Sequence, residues 1–385
     1  MGKVIYLLIL LLLWFGGWEL KMIPISLDVQ LIIVFAYLIF GAWYFGSKKN
    51  GVQFHRPNRY FIWIMLGIFI SMIPAYIYWG QSFLQSLITY RFQYYMFAIP
   101  LLFIIKPTQE ELIRTLEIFS FVLFGVFLLK TSMPHLFELR ESFVLKHENG
   151  DTDILISGYP LLAIPFYYTL QQVRERFEIK KMLYLCFILV FVFLMSNRST
   201  LFPMVMLSCI TFLQLKSRYR FFIIILMLLV GSYAVYLSAD VWKELFEETQ
   251  LQINDPDYNR NKALAYFLYA ASPNWVCSVL GNGYLSAHVN QTMLLMMDES
   301  IYNSDIGFIG YWNHFGLIPT CVMIYMYIHV LVKRRFPFFL KLIAIQTLLG
   351  GLTISYFAQT THMIFFILFY YLYMYNDTRH SYIRE

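Results

Sequence analysis

Of 385 residues, 59% are hydrophobic, 19% aromatic and only 14% charged, at a mean hydropathy of +0.59. A soluble domain carries about a quarter charged residues, so this chain has too little polar surface to be solvated on every side. Its net charge of +6 falls between apolar runs, which excludes a nucleic-acid patch and points to membrane sidedness.

Apolar runs of about 17–25 residues are what a ~30 Å hydrocarbon core demands of helices; the ten-residue alternation of a membrane β-barrel is absent. The expected spans are 4–18, 29–46, 60–79, 84–105, 116–130, 153–171, 182–197, 199–215, 221–237, 304–332, 338–357 and 360–376. The first run resembles a signal peptide, but it lacks a small-residue cleavage site and further spans follow. The chain therefore reads as an all-α, polytopic transmembrane bundle of about twelve spans. It divides into a bundle over 1–237, a periplasmic loop over 238–303 holding short helices, and C-terminal spans over 304–385.

The positive-inside rule sets the orientation. With the N-terminus inside, cytoplasmic loops gather Lys48, Lys49, Arg56 and Arg59, then Arg174 to Lys181, Lys216 to Arg220, and Lys333 to Lys341. Adding Lys3, Lys106, Arg114, Arg379 and Arg384 brings about 20 of the 29 Lys and Arg inside, while about 16 of the 23 acidic residues fall outside. Both termini are then cytoplasmic. Two outer segments are long, 131–152 and 238–303. Within the second, Trp242 to Glu248 reads as an amphipathic helix, Asp255-Pro256-Asp257 as a turn, and 260–271 as a further helix. Loops of this size are usually lids or binding surfaces. No Walker loop and no internal repeat is present, so the driving force comes from the substrate or an ion gradient.

Charged side chains in membrane spans are costly and tend to mark function. Arg91 lies about two turns inside the outer end of its span, Arg198 in the outer hairpin Ser196 to Thr200, and Arg260 at the start of a helix in the large loop. Each has a plain alternative as a snorkelling or solvated residue. All three nonetheless converge on one face, and guanidinium is the bidentate partner of phosphate. A pyrophosphate or polyanionic headgroup is the expected ligand. The cysteines are Cys186, Cys209 and Cys321 in apolar runs and Cys277 in the large loop; no Cys/His spacing suits a metal or a structural disulfide.

The run Arg260-Asn261-Lys262, through Ala270-Ala271-Ser272-Pro273 to Leu280-Gly281-Asn282-Gly283, resembles the signature of the O-antigen ligase and Wzy-type polysaccharide polymerase superfamily. Ser196-Asn197-Arg198-Ser199 is similar to its Ser-Arg element, and Asp305-Ile306-Gly307-Phe308-Ile309-Gly310, continuing to Gly316, to its acidic-x-Gly-x-x-Gly start of the next span. The resemblance implies a glycosyltransferase of the inner membrane that needs neither metal nor cofactor. It would act on undecaprenyl-diphosphate-linked oligosaccharides, with a chain-length regulator as a further partner. Arg198, Arg260 and Arg91 would hold the diphosphate, and Gly281 and Gly283 would permit close approach to substrate or merely end a helix.

A base must activate the acceptor hydroxyl. Family ligases place a His-Asn pair about ten residues before the Gly-x-x-Gly element. Here His288-Val289-Asn290 is nearer twenty residues away, which tilts the reading from ligase to polymerase. His288 is the first base candidate and Asp305 the second; an exposed loop imidazole and a helix cap are their plain alternatives. His362 is a third, more simply a core histidine. Gly307, Gly310 and Gly316 read as a helix-packing face. A flippase for lipid-linked glycans is the rival of another class, but such transporters carry repeats and midplane sites.

Overall fold

The computed structural model describes residues 2–15, 26–46, 59–133, 144–146, 152–154, 156, 158–195, 198–214, 259–286, 306–351 and 360–382. The expected span 221–237, the helix at Trp242 to Glu248 and the turn at Asp255 lie outside them. The first half comprises α1 (Gly2–Phe15), α2 (Leu27–Gly46), α3 (Arg59–Ile70), α4 (Met72–Trp79), α5 (Phe83–Thr89), a 3-10 stretch (Tyr90–Phe97), α6 (Ala98–Ile105) and α7 (Gln109–Ser132). A hairpin of β1 (Val144–Lys146) and β2 (Thr152–Ile154) follows, with Val144 opposite Ile154. Then come a 3-10 turn (Tyr159–Leu162), α8 (Ala163–Glu175), α9 (Ile179–Leu194) and α10 (Arg198–Leu213). The last elements are α11 (Asn259–Ala265), a π turn (Tyr266–Ala270), α12 (Trp275–Leu280), α13 (Gly307–Phe315), α14 (Leu317–Val332), α15 (Phe338–Gly350) and α16 (Thr360–Tyr382).

Among the described residues, four helical stretches are long and apolar enough to cross a membrane: Asp28–Gly46, Arg59–Trp79, Phe83–Ile105 and Gln109–Ser132. Their outward faces carry large exposed apolar side chains, among them Ile39, Phe40 and Trp43 on α2 and Trp63, Tyr76 and Ile77 on α3 and α4. Water does not tolerate contiguous apolar surface on this scale, whereas lipid solvates it. The centre is the reverse case. Every residue of α16 from 362 to 373 is buried, as expected of a helix that is apolar all round and enclosed by others. It packs on the 3-10 stretch, α6, the Tyr159–Leu162 turn and α15.

The elements depart from uniform spans in three places, each with a local cause. The expected 153–171 span begins instead with β2, and helix starts only at Tyr159, where Pro160 occupies the first turn and needs no amide partner there. The 60–79 span breaks at Ser71, because Pro74 cannot donate to the Ile70 carbonyl one turn back; the Ser71 hydroxyl folds onto the Ile68 carbonyl at 2.7 Å. The 304–332 span breaks at Gly316. The span expected over 116–130 belongs to the longer α7, whose N-terminus Thr108 and Glu111 close as a capping box.

The helix directions give the bundle two distinct ends. At one, the Lys3 ammonium donates to the Lys106 carbonyl at 2.8 Å, Tyr371 to the Pro107 carbonyl at 2.5 Å and Asn376 to Gln109 at 2.9 Å. Arg335 pairs there with Asp377, the Phe339 amide donates to Gln171 at 2.9 Å, and the Arg174 guanidinium lies 4.1 Å from the Phe338 ring centroid. Many of the residues counted as inside by the charge pattern thus meet in space. The opposite end holds Asp28, Trp79 and His362; His362 is about 22 Å along α16 from Asp377 at 1.5 Å per residue.

Candidate functional site

The end away from the basic cluster is built around Gly281–Ser286, an extended segment that follows α12 and wedges between α4, the 3-10 stretch and the α13–α14 junction. Irregular backbone enclosed among helices must have its polar groups hydrogen-bonded, and here the partners can be named. Asn282 N donates to the Asn313 carbonyl at 2.7 Å and Gly283 N to the His314 carbonyl at 2.9 Å. Tyr284 N donates to the Tyr90 hydroxyl at 3.0 Å and Ser286 N to Gln81 Oε1 at 2.7 Å. The Gln81 amide returns a bond to the Tyr284 carbonyl at 3.1 Å and another to Ser86 at 3.0 Å. Tyr90 is itself braced against Ser71 at 2.6 Å.

The side chain of Asn282, 2% exposed, reaches both ways. It accepts from Trp79 Nε1 at 3.1 Å and donates to Ser272 at 3.1 Å. Asn274 caps α12 by accepting from the Cys277 amide at 3.0 Å, and Trp312 donates to the Ser278 carbonyl at 2.6 Å. Gly281 and Gly316 sit back to back. Each has φ of 89°, with ψ of 157° and 177°, a region open essentially to glycine alone. A Cβ on Gly281 would stand 2.6 Å from Gly316 N, and one on Gly316 2.5 Å from the Leu280 carbonyl carbon. The close approach that Gly281 permits is therefore to the neighbouring helix junction. Gly283 likewise faces Ala75 and Ser71 of the bundle.

Arg91 lies at this same end, since α2 runs from Asp28 down to Gly46 beside Ile104, and Arg91 Nε stands 3.4 Å from Asp28 Oδ1. It is 38% exposed on its side chain and has a carboxylate partner that the sequence pattern does not reveal. Arg198 opens α10; α9 climbs from the basic end, so the backbone of Arg198 is also at the far end. Arg260 opens α11, whose Ala263 packs with Phe267, Ala271 and Ile306, against the start of α13. The three arginines thus share an end of the bundle, Arg198 and Arg260 by backbone position. His288 and Asp305 lie outside the described residues. His362 is buried beside Tyr159, with its Nε2 3.4 Å from the phenol oxygen.

His314 is a residue that the sequence pattern does not single out, because it falls within an apolar run. The imidazole Nδ1 is 3.0 Å from the Gly283 carbonyl, which can only accept, so Nδ1 carries the proton. The ring stacks on Tyr284 at 4.7 Å between centroids. An ionisable residue inside an expected span is the signal by which it could be found.

All four cysteines are free thiols, and burial pushes the Cys277 thiol up to about 11. Among the described residues no group of three His, Cys, Asp or Glu is placed to hold a metal ion. Comparison with protein-family models, with curated proteins and with solved structures returned no match.

Proposed function

We propose that the chain is a bacterial inner-membrane polysaccharide polymerase of the Wzy type, with both termini in the cytoplasm and its site on the periplasmic face. It joins undecaprenyl-diphosphate-linked repeat units, and Arg198 and Arg260, aided by Arg91, hold the diphosphate and stabilise the charge that develops as it leaves. The observation that carries this reading is the gathering of the three arginine-bearing elements at the end opposite the basic cluster, around the buried Gly281–Ser286 wedge. A rigid, hydrogen-bonded platform is what pre-organised electrostatic catalysis requires. The lipid diphosphate itself is the energy source, which suits a chain without a nucleotide loop.

The test is chain lengthening by purified protein on a synthetic undecaprenyl-diphosphate repeat unit. Arg198→Ala and Arg260→Ala should each lower extension by about 100-fold or more, and Arg→Lys at either position should restore little, because ammonium cannot replace a bidentate fork. Full activity in both alanine variants would remove the diphosphate clamp. Extension of a lipid A-core acceptor in place of a second repeat unit would favour the ligase reading.

A further inference from the structure

The wedge leaves two polar groups unspent. His314 is 5% exposed and Asn313 7%, yet His314 Nε2 and Asn313 Nδ2 have no hydrogen-bond partner among the described residues. A buried polar group without a partner forfeits its hydration for nothing in return and calls for an explanation. Each residue also spends its backbone carbonyl on holding the wedge, Asn313 on Asn282 N and His314 on Gly283 N.

His314 differs from an ordinary core histidine in how its ring is fixed. The Gly283 carbonyl takes the Nδ1 proton at 3.0 Å, so the neutral ring has a bare lone pair at Nε2. Tyr284 stacks on the face at 4.7 Å, and Gly283 and Tyr284 belong to the segment whose amides are pinned by Tyr90 and Gln81. Tautomer, rotation and position are thereby set. An imidazole held by one nitrogen to an acceptor, with the other free, is the arrangement a general base requires.

We propose that His314 Nε2 is the general base that activates the acceptor hydroxyl, an assignment that rests on the polymerase reading above. The hydroxyl oxygen of the acceptor forms a bond to the anomeric carbon of the donor. As it does so, the bond from that carbon to the diphosphate oxygen breaks, and its electron pair leaves with undecaprenyl diphosphate. The hydroxyl proton passes to Nε2, giving an imidazolium that afterwards releases it to water. His314 joins His288, Asp305 and His362 as a base candidate.

The variant that separates base from brace is His314→Asn, whose amide N–H can still reach the Gly283 carbonyl while no acceptor remains at the Nε2 position. In the extension assay, kcat should fall by about 100-fold or more, with KM for the donor and the unfolding temperature unchanged. Extension within a few-fold of wild type, or a loss confined to KM, overturns the assignment and leaves the polymerase reading intact. Wild-type protein that never extends overturns both. Diethylpyrocarbonate on the unaltered protein supplies a readout independent of folding variants. Carbethoxylation of His314, followed by mass spectrometry, should track inactivation and be blocked by acceptor. A His314 that never reacts, or one that reacts without loss of extension, contradicts the role.

Discussion

Replacing Gly281 by alanine places a Cβ where the structure has no room and the backbone no tolerance. The φ and ψ of 89° and 157° cost a side-chain-bearing residue about 1–3 kcal/mol. The contact at 2.6 Å with Gly316 N falls on backbone that cannot step aside, and overpacking of this kind adds about 1–3 kcal/mol. Together these come to about 2–6 kcal/mol against a native stability of about 5–15. Gly125 gives the matching control. It lies within α7, and a Cβ added there would meet nothing within 4 Å, so Gly125→Ala gains about 0.5–1 kcal/mol from helix propensity. The assay is thermal unfolding of the detergent-solubilised protein, monitored by tryptophan fluorescence. Gly281→Ala should unfold about 2–7 °C lower, and Gly125→Ala slightly higher. Equal shifts for the two substitutions would refute the back-to-back glycine argument.

Tyr90→Phe removes the acceptor of the Tyr284 amide and the partner of Ser71; it should cost about 1–3 kcal/mol and speed chymotryptic cleavage at Tyr284, read by peptide mapping. Gln81→Leu, which strips both ends of the amide from Tyr284 and Ser286, should do so more strongly. In a Cys186→Ser, Cys209→Ser, Cys321→Ser background, Cys277 has about one thiol in a thousand ionised at pH 8, given its displacement to about 11. Maleimide labelling should therefore be slow and rise about tenfold per pH unit towards 11, with rapid labelling at pH 7 counting against burial of α12. A topology reporter fused near Asn254 should report the periplasm, and one fused after Arg335 the cytoplasm; a cytoplasmic signal at Asn254 would invert the orientation.

The positions of the helices are readable because lipid-facing and core-facing residues alike are apolar, so a span is a continuous run that needs no partner to recognise it. Helix occupies most of the described part of the expected segments other than 221–237, with β2 at the start of 153–171 and a break at Gly316. The site is less readable. Gly281-Asn282-Gly283 stands out as a turn, but what holds it in place comes from Trp79, Gln81 and Tyr90, some two hundred residues earlier. No local pattern encodes such pairing. The Asp28 partner of Arg91 is hidden for the same reason. The break at Ser71 can be read from Pro74, whereas His314 is masked by the hydropathy of its neighbours. Lys3 in α1, Arg174 in α8, Lys106 just after α6 and Arg335 just after α14 share one end of the bundle, which is the part of the charge pattern that the structure bears on.

Sidedness of the reaction tests the account most directly. Sealed vesicles of known orientation, carrying the protein, would be given a membrane-impermeant acceptor sugar and a short-chain polyprenyl-diphosphate donor without nucleotide. Extension should occur when the acceptor is added on the face bearing Arg91 and the Gly281–Ser286 wedge, and be absent from the face bearing Arg335 and Asp377. Extension from the Arg335 face, or from neither, would contradict the assignment of the reaction to this end of the bundle.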